Sequence, residues 1–317
     1  MTALAAPPPV SMREVAERII ADQAGAMRRL RKRARRGELE AVHDLRVATR
    51  RLRAALRVFR DFVAPAGGVR KRLRRLARRL GAVRDRDVLA SLLAAQLGER
   101  LGEDERRRLA RLVRAVRRKR RRKLARLERA LDATAVRALR RRARRLSRTT
   151  GLDDDAAAIG LTRAVTRLAA EVAREPAMLE AAPSEEALHR LRIAMKRLRY
   201  ALEFHAGAGG LAYDAELGAA RELQACLGEL HDVDVLRAAM RLGKGAFAGP
   251  WPATSRRLRA ARQRHLARFL ELRDRWRELT RTEPAYDTAA AFPALEAAPV
   301  QLRLVSGGKQ IASTMIR

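Results

Sequence analysis

The amino-acid sequence predicts an all-α protein built from two related four-helix units. Between Ser11 and Thr280, apolar residues recur every three to four positions, which is the period of an amphipathic α-helix. Helix start and stop signals divide this stretch into segments, and no run alternates apolar and polar residues for long enough to form a strand. An internal repeat, described below, sorts the helices into two sets.

Capping and breaking residues give the helix boundaries of the first half. Ser11 and Glu14 form a capping box at the first helix, and Gly37 supplies its stop. A proline and glycine cluster over 65–68 ends the second helix, and the acidic run 103–105 favours the start of the fourth. The predicted helices cover residues 11–36, 38–62, 69–97 and 103–131, with a short linking helix over 132–148.

The second half repeats this plan after a break at Gly151. An acidic run over 153–155 and the pair Pro183-Ser184 mark two helix starts. The predicted helices cover residues 153–174, 183–205, 211–241 and 255–279. The resulting organisation is a flexible N-terminus (1–10), a first repeat with its linking helix (11–149), a second repeat (150–279) and a loosely ordered tail (280–317).

Positive charge is concentrated in the first half. The 317 residues include 71 Lys and Arg against 36 Asp and Glu, a net charge of +35. Residues 1–150 carry a net charge of +31, and residues 151–317 carry +4. Of the basic residues, 64 are arginines, whose planar guanidinium suits phosphate oxygens. Such a field attracts polyanions.

Several function classes are excluded by composition and motifs. Cys226 is the single cysteine, which excludes a disulfide scaffold and a cysteine-based metal cluster. The sequence has no signal peptide and no apolar run of the roughly 20 residues that a membrane span needs. It also lacks a Walker loop, a nucleophile elbow and a Ser/His/Asp order. We therefore expect a cytoplasmic protein that contacts no membrane, is not an enzyme and has no cofactor.

Two blocks of sequence occur in both halves. Residues 42–56 match residues 188–202 at an offset of 146, and residues 80–89 match residues 227–236 at an offset of 147. Two such blocks at nearly one offset indicate duplication of a four-helix unit.

The first block carries a basic stripe beside an apolar one. On a helix, a basic sector of about 80° lies next to a core-facing apolar sector. The basic members are His43, Arg46, Arg50, Arg53 and Arg57; the apolar members are Leu45, Thr49, Leu52, Leu56 and Phe59. Because the two sectors adjoin, we expect the basic stripe to face a groove between helices, where its spacing of roughly 5–6 Å suits successive phosphates.

The second half repeats the stripe less completely. Its members are His189, Arg192, Lys196 and Arg199, and Glu203 replaces the last cation. Further candidate anion-binding residues are Arg74, Arg75, Arg78 and Arg84 on the third helix, Arg117 on the fourth, and Arg221 and His231 in the second half. The dense run over 114–123 circles its helix, so only part of it can face one groove. The alternative interpretation is a solvated charged face.

The second block contains paired carboxylates. These are Asp85 and Asp87 in the first half and Asp232 and Asp234 in the second. We expect them to hold nearby arginines by bidentate pairing. A metal site is the alternative, but no second set of ligands stands at suitable spacing, so no metal is predicted.

The two blocks resemble the CHAD family, the conserved histidine α-helical domain. The resemblance rests on His43-x-x-Arg46-x-x-x-Arg50-Arg51-x-Arg53 and Leu80-Gly-x-x-Arg84-Asp85-x-Asp87, and on their second copies, and it covers about residues 11–279. It implies two four-helix bundles related by a pseudo-twofold, binding inorganic polyphosphate between them at bacterial polyphosphate granules.

Carried over by position, the resemblance implies a polyphosphate site. Its residues would be His43, Arg46, Arg50, Arg53, Arg84, His189, Arg192, Lys196 and Arg199. Arg51 and Arg197 share the motif, but their helical phase turns them toward neighbouring acids. The chain departs from the pattern at Arg190, Glu203 and Glu222. It has no room for a CYTH domain and no Glu-x-Glu-x-Lys motif, so we expect a stand-alone member.

Three functions compete at this point. The first is polyphosphate binding with granule targeting, which adds granule-associated proteins as partners. The second is general nucleic-acid binding, because phosphate contacts alone give salt-dependent affinity. Aromatic residues at 3% and the lack of a recognition-helix module allow only weak, nonspecific nucleic-acid binding. The third is an enzyme or metal carrier built on the histidines.

Overall fold

The computed structural model describes residues 12–59, 67–131, 141, 154–207, 213–241 and 249–282. Within these ranges the secondary structure is entirely helical, in agreement with the predicted all-α class. The helices are α1 (Met12–Arg35), α2 (Leu39–Val58), α3 (Gly67–Leu97), α4 (Glu103–Ala130), α5 (Asp154–Ala173), α6 (Pro176–Leu179), α7 (Glu185–Ala206), α8 (Asp214–Arg241) and α9 (Pro252–Thr282).

Most predicted helices are confirmed, with corrections at their ends. The second helix ends at Val58 and not at 62, because Phe59 leaves the helical conformation while its N–H still bonds Ala55 O. The last helix begins at Pro252, three residues early, with proline at its favoured first position. The short helix α6 was not predicted. The capping box at Ser11, the linking helix over 132–148 except residue 141, and the tail beyond 282 lie outside the described residues.

Each half is a set of sequentially packed helices. In the first half α1 to α4 pack in order, and in the second α5, α7, α8 and α9 do the same. Between the halves, α1 meets α5, α2 meets α7 and α3 meets α8. These are the helices that the sequence repeat equates, while a rotation axis relating the two halves stays a prediction.

Buried apolar stripes form a core that continues through both halves. The predicted core residues of α2 are all buried, as are Leu191, Met195, Leu198 and Leu202 of α7. Phe59 and Phe204 join the halves, with ring centroids 5.7 Å apart. A second apolar cluster lies where α3 and α4 approach α8 and α9, and it includes Leu93, Leu109 and Trp251.

Glu105 ties the two halves together at this second cluster. Its buried carboxylate accepts hydrogen bonds from Thr254 N at 2.9 Å, Thr254 Oγ1 at 2.5 Å and Ala253 N at 3.3 Å. An acid on α4 therefore caps the N-terminus of α9. With the contact between α2 and α7, this fixes the halves at two separate places.

Candidate anion-binding site

The two basic stripes face one another across a cleft between α2 and α7. The cleft is a cavity of about 350 Å³. Its charged and aromatic lining consists of Arg46, Arg50, Arg53, Arg57, His189, Arg192, Lys196, Arg197 and Tyr200. The core packing of α2 and α7 explains this arrangement, because burying the apolar sectors turns the adjoining basic sectors toward each other.

Tyr200 contacts two arginines, Arg50 in the cleft and Arg199 beside it. It is buried, and its hydroxyl oxygen accepts a hydrogen bond of 2.6 Å from Arg50 Nε. The guanidinium of Arg199 stands 4.7 Å from the centre of its ring, in cation–π contact. Sequence reasoning missed Tyr200, which occupies the position of Ala54 in the repeat, so the departure from the first copy was a usable signal.

Most of the cations that line the cleft have no salt-bridge partner among the described residues. Within the described part of the chain, no salt bridge reaches six of the lining residues: Arg46, Arg50, Arg53, Arg57, Arg192 and Lys196. The neighbouring Arg51 pairs with Glu203 at 3.2 Å, and Arg197 pairs with Glu171 at 3.7 Å. Both therefore meet acids as predicted, but Arg197 also lines the cleft, from which its helical phase was expected to turn it away. The cleft therefore holds positive charge that nearby carboxylates of the described residues offset only in part.

Crowding of like charges shifts the pKa values of the cleft groups. Burial, reinforced by Arg192, Arg50, Arg46 and Arg199, lowers the pKa of Lys196 to about 7. Burial also lowers the pKa of Arg46 and of Arg192, each with repulsion from neighbouring arginines. These shifts disfavour the charged forms, and a bound anion would relieve them.

Helices α3 and α8 place further charged and titratable groups beside the cleft. Burial and the positive charge of half-buried Arg84 lower the pKa of His43. The negative charge of Asp85 partly offsets the repulsion between Arg46 and its neighbouring arginines. On α8, His231 lies 5.2 Å from His189 between ring centroids, and burial with Arg192 lowers its pKa to about 4.

The chain matches a known protein family over most of its length. The profile of the CHAD domain family matches residues 18–241. The chain belongs to the CHAD family. The matched region runs from α1 to the end of α8 and contains both copies of both sequence blocks.

Solved structures support the CHAD fold. The crystal structure of the CHAD domain from the plant Ricinus communis is 23% identical, with a TM-score of 0.58, covering 93% of this chain and 96% of that one. PptA from Streptomyces chartreusis is 21% identical, also with a TM-score of 0.58, covering 86% of this chain and 100% of that one. Among curated proteins, no sequence matches significantly.

The paired carboxylates of this CHAD chain divide into two kinds. Asp87 is buried in an ion pair with Arg120, and Asp234 binds Arg262 at 3.0 Å and Arg237 at 3.4 Å. Each uses its Oδ1 atom for these contacts, so the expected bidentate geometry is wrong. The arginines that they hold lie on α4, α8 and α9 and do not line the cleft.

The other two carboxylates, Asp85 and Asp232, stand near the cleft cations without a salt bridge among the described residues. Burial raises the pKa of Asp232, although Arg192 and Lys196 oppose the shift. The described residues contain no group of three or more His, Cys, Asp and Glu side chains that could hold a metal ion. They also contain no helix with the length and apolar character of a membrane span.

Several predicted site residues lie outside the cleft. Arg74, Arg75 and Arg78 are exposed on α3, Arg117 is exposed on α4, and Arg221 is exposed on α8. Arg74 is close enough to Arg53 to contribute to the lowered pKa of Arg53, so α3 extends the basic surface beyond the cleft. Arg199 is turned away, because Glu203 and Gln224 Oε1 hold its guanidinium.

Proposed function

We propose that this CHAD protein binds inorganic polyphosphate, without catalysis, in the cleft between α2 and α7. The observation that carries the proposal is the set of cleft cations that have no carboxylate partner among the described residues. Uncompensated charge of this kind costs stability unless an anion is bound. A polyanion would neutralise several of these groups at once.

The dimensions of the stripe favour a thin, linear anion. From His43 to Arg57 it spans 14 residues, or about 21 Å along α2. Successive cations on one helix face are roughly 5–6 Å apart, which lets neighbouring side chains contact successive phosphates. A narrow cleft suits an unbranched chain better than a duplex, whose major groove alone is about 12 Å wide.

Binding of this kind would also give the protein its location. We propose that it is cytoplasmic and associates with polyphosphate granules, where granule-bound proteins are further partners. The exposed arginines of α3 and α4 would add long-range attraction without defined contacts, and their effect would weaken at high salt.

A competition experiment tests the choice of polyanion. Labelled long-chain polyphosphate is bound to the protein at about 150 mM salt and titrated with unlabelled polyphosphate, duplex DNA, RNA or tripolyphosphate, each over the same range of phosphate concentration. We expect unlabelled long-chain polyphosphate to displace the label at a phosphate concentration at least about tenfold below that needed with DNA or RNA. Equal displacement per charge would identify a general nucleic-acid and polyanion binder instead.

A further inference from the structure

The cleft contains a single primary amine among its described lining residues, that of Lys196. The other basic groups there are guanidinium groups and one imidazole. Lys196 is half-buried on α7. The charged and titratable groups that act on it are Arg46 and Arg50 from α2, His189, Arg192 and Arg199 from α7, and His231 and Asp232 from α8.

The half-buried position of Lys196 among arginines allows its amine to act as a nucleophile as well as a cation. A guanidinium stays protonated at neutral pH, whereas an amine attacks electrophiles once it is neutral. Burial and the surrounding arginines lower the pKa of Lys196 to about 7, so close to half of it is neutral at pH 7. For an ordinary lysine the neutral fraction is about one in three thousand.

The same cleft can hold the leaving group of a small electrophile. Arg50 and Arg192 lack carboxylate partners among the described residues and act electrostatically on Lys196. Guanidinium groups bind phosphate oxygens through paired hydrogen bonds. An acyl phosphate, which is a mixed anhydride with phosphate as its leaving group, could therefore place its phosphate on the arginines and its acyl group in the same cavity as the amine.

We propose that Lys196 is a modification site, acylated by small acyl phosphates whose phosphate group is held by Arg50 and Arg192. The neutral amine attacks the acyl carbon, the N–C bond forms and the bond from carbon to the phosphate oxygen breaks. That oxygen keeps the electron pair and takes the amine proton, so the products are an amide on Lys196 and inorganic phosphate. This inference rests on the phosphate-binding role proposed for the cleft.

Acylation would change what the cleft can bind. The amide is neutral, so one of the uncompensated cations disappears, and the acyl group occupies part of a cavity of about 350 Å³. We expect polyphosphate affinity to fall about fivefold or more on acetylation of Lys196, since one charge-assisted contact is lost. Acyl phosphates would then regulate polyphosphate binding by covalent modification.

The test measures acetylation of each lysine in the full chain after incubation with acetyl phosphate at pH 7, by quantitative mass spectrometry. Exposed Lys32 and Lys71 serve as internal references. We expect Lys196 to react at least about tenfold faster than either, and its rate to level off above about pH 8 while ordinary amines keep accelerating. Tripolyphosphate should protect Lys196 and spare the references.

Two controls separate binding of the donor from reactivity of the amine. The N-hydroxysuccinimide ester of acetic acid has no phosphate, so it should show a smaller preference for Lys196 and no protection by tripolyphosphate. Because Arg192 also lowers the pKa of Lys196, the readout for Arg192→Gln is the ratio of labelling by acetyl phosphate to labelling by the N-hydroxysuccinimide ester. That ratio should fall in Arg192→Gln and stay unchanged in the charge-matched Arg126→Gln, at an exposed position on α4.

The outcomes distinguish this inference from the proposed function. Labelling of Lys196 no faster than that of Lys32 and Lys71 would overturn the inference, and so would equal selectivity with both donors. Polyphosphate binding without selective acetylation would overturn the inference alone. Selective, tripolyphosphate-protected acetylation in a protein that does not bind long-chain polyphosphate would overturn the proposed function and support the inference.

Discussion

At Lys196, burial and four neighbouring arginines act in the same direction, and each favours the neutral amine. A bound polyanion acts in the opposite direction and raises the pKa of the amine again. Between the free-state value of about 7 and the higher bound-state value, binding therefore takes up a proton. We predict that polyphosphate affinity falls as pH rises above about 7, by at most about tenfold per pH unit.

This linkage is measured by titration calorimetry at pH 8 in two buffers of different ionisation enthalpy. The expected result is uptake of a substantial fraction of a proton per bound chain. Lys196→Arg provides the control, since it keeps the charge but should bind without that uptake. Equal uptake by the variant and the native protein would show that Lys196 is not the group that titrates.

The same residue predicts an unusual pH dependence of stability. Because the folded pKa of Lys196 is lowered below the unfolded value of 10.5, the cost of the buried charge is fully present below about pH 7. It diminishes as pH rises from about 7 to 10.5. Lys196→Met should therefore raise the free energy of unfolding at pH 6 by on the order of a few kcal/mol, and by less at pH 9.

Urea unfolding at the two pH values measures this difference in the absence of polyanion. Lys71→Met, at an exposed position on α3, is the matched control and should change stability by less than about 0.5 kcal/mol at both. If Lys196→Met destabilised the protein at pH 6, the amine would have a compensating partner and the account of the cleft electrostatics would be wrong.

At the scale of elements, the hydrogen bonds that Glu105 accepts join α4 to the start of α9. Removing it leaves the N–H groups of Ala253 and Thr254 and the hydroxyl of Thr254 without their acceptor. We predict that Glu105→Ala lowers the free energy of unfolding by about 2–4 kcal/mol in urea unfolding.

The neighbouring Glu103 provides the control for this change. It lies exposed in the same first turn of α4 and makes only an i,i+4 ion pair with Arg107 among the described contacts. Glu103→Ala should cost less than about 1 kcal/mol. A similar loss from both variants would reduce the role of Glu105 to a general charge effect at the helix end.

Local sequence signals were sufficient to predict the helices and the faces that they bury. Helical periodicity and the repeat predicted the apolar stripes of α2 and α7, because burial is set by spacing along one helix. The role of Arg199 was different, since helical phase directed it to the groove while Glu203 holds it elsewhere. The i,i+4 spacing of these two residues was the signal that could have revealed the pair.

Contacts between distant elements could not be predicted in this way. The hydrogen bond from Arg50 to Tyr200 joins residues 150 positions apart, and the cap that Glu105 provides joins residues 149 apart. Nothing local specifies such partners, because they depend on how whole helices pack. The sequence predicted that Asp87 binds an arginine, but only the structure shows that this arginine is Arg120 on α4.

For the molecule as a whole, the packing of the two halves brings two basic helix stripes together in one cleft, which is the anion-binding site proposed above. The apolar core and the junction at Glu105 hold α2 and α7 in place, so their cations remain close despite mutual repulsion. An anion bound as proposed would relieve that repulsion, so the same charges that cost stability in the free protein would increase its affinity for the anion.

The most direct test of this account compares two charge-matched triple variants for binding of long-chain polyphosphate at about 150 mM salt. The cleft variant combines Arg46→Gln, Arg50→Gln and Arg192→Gln; the surface variant combines Arg121→Gln, Arg122→Gln and Arg126→Gln on the exposed face of α4. We predict a loss of at least about 100-fold for the cleft variant and less than about threefold for the surface variant. Equal losses, with both variants folded, would mean a diffuse electrostatic surface and would contradict the cleft as the binding site.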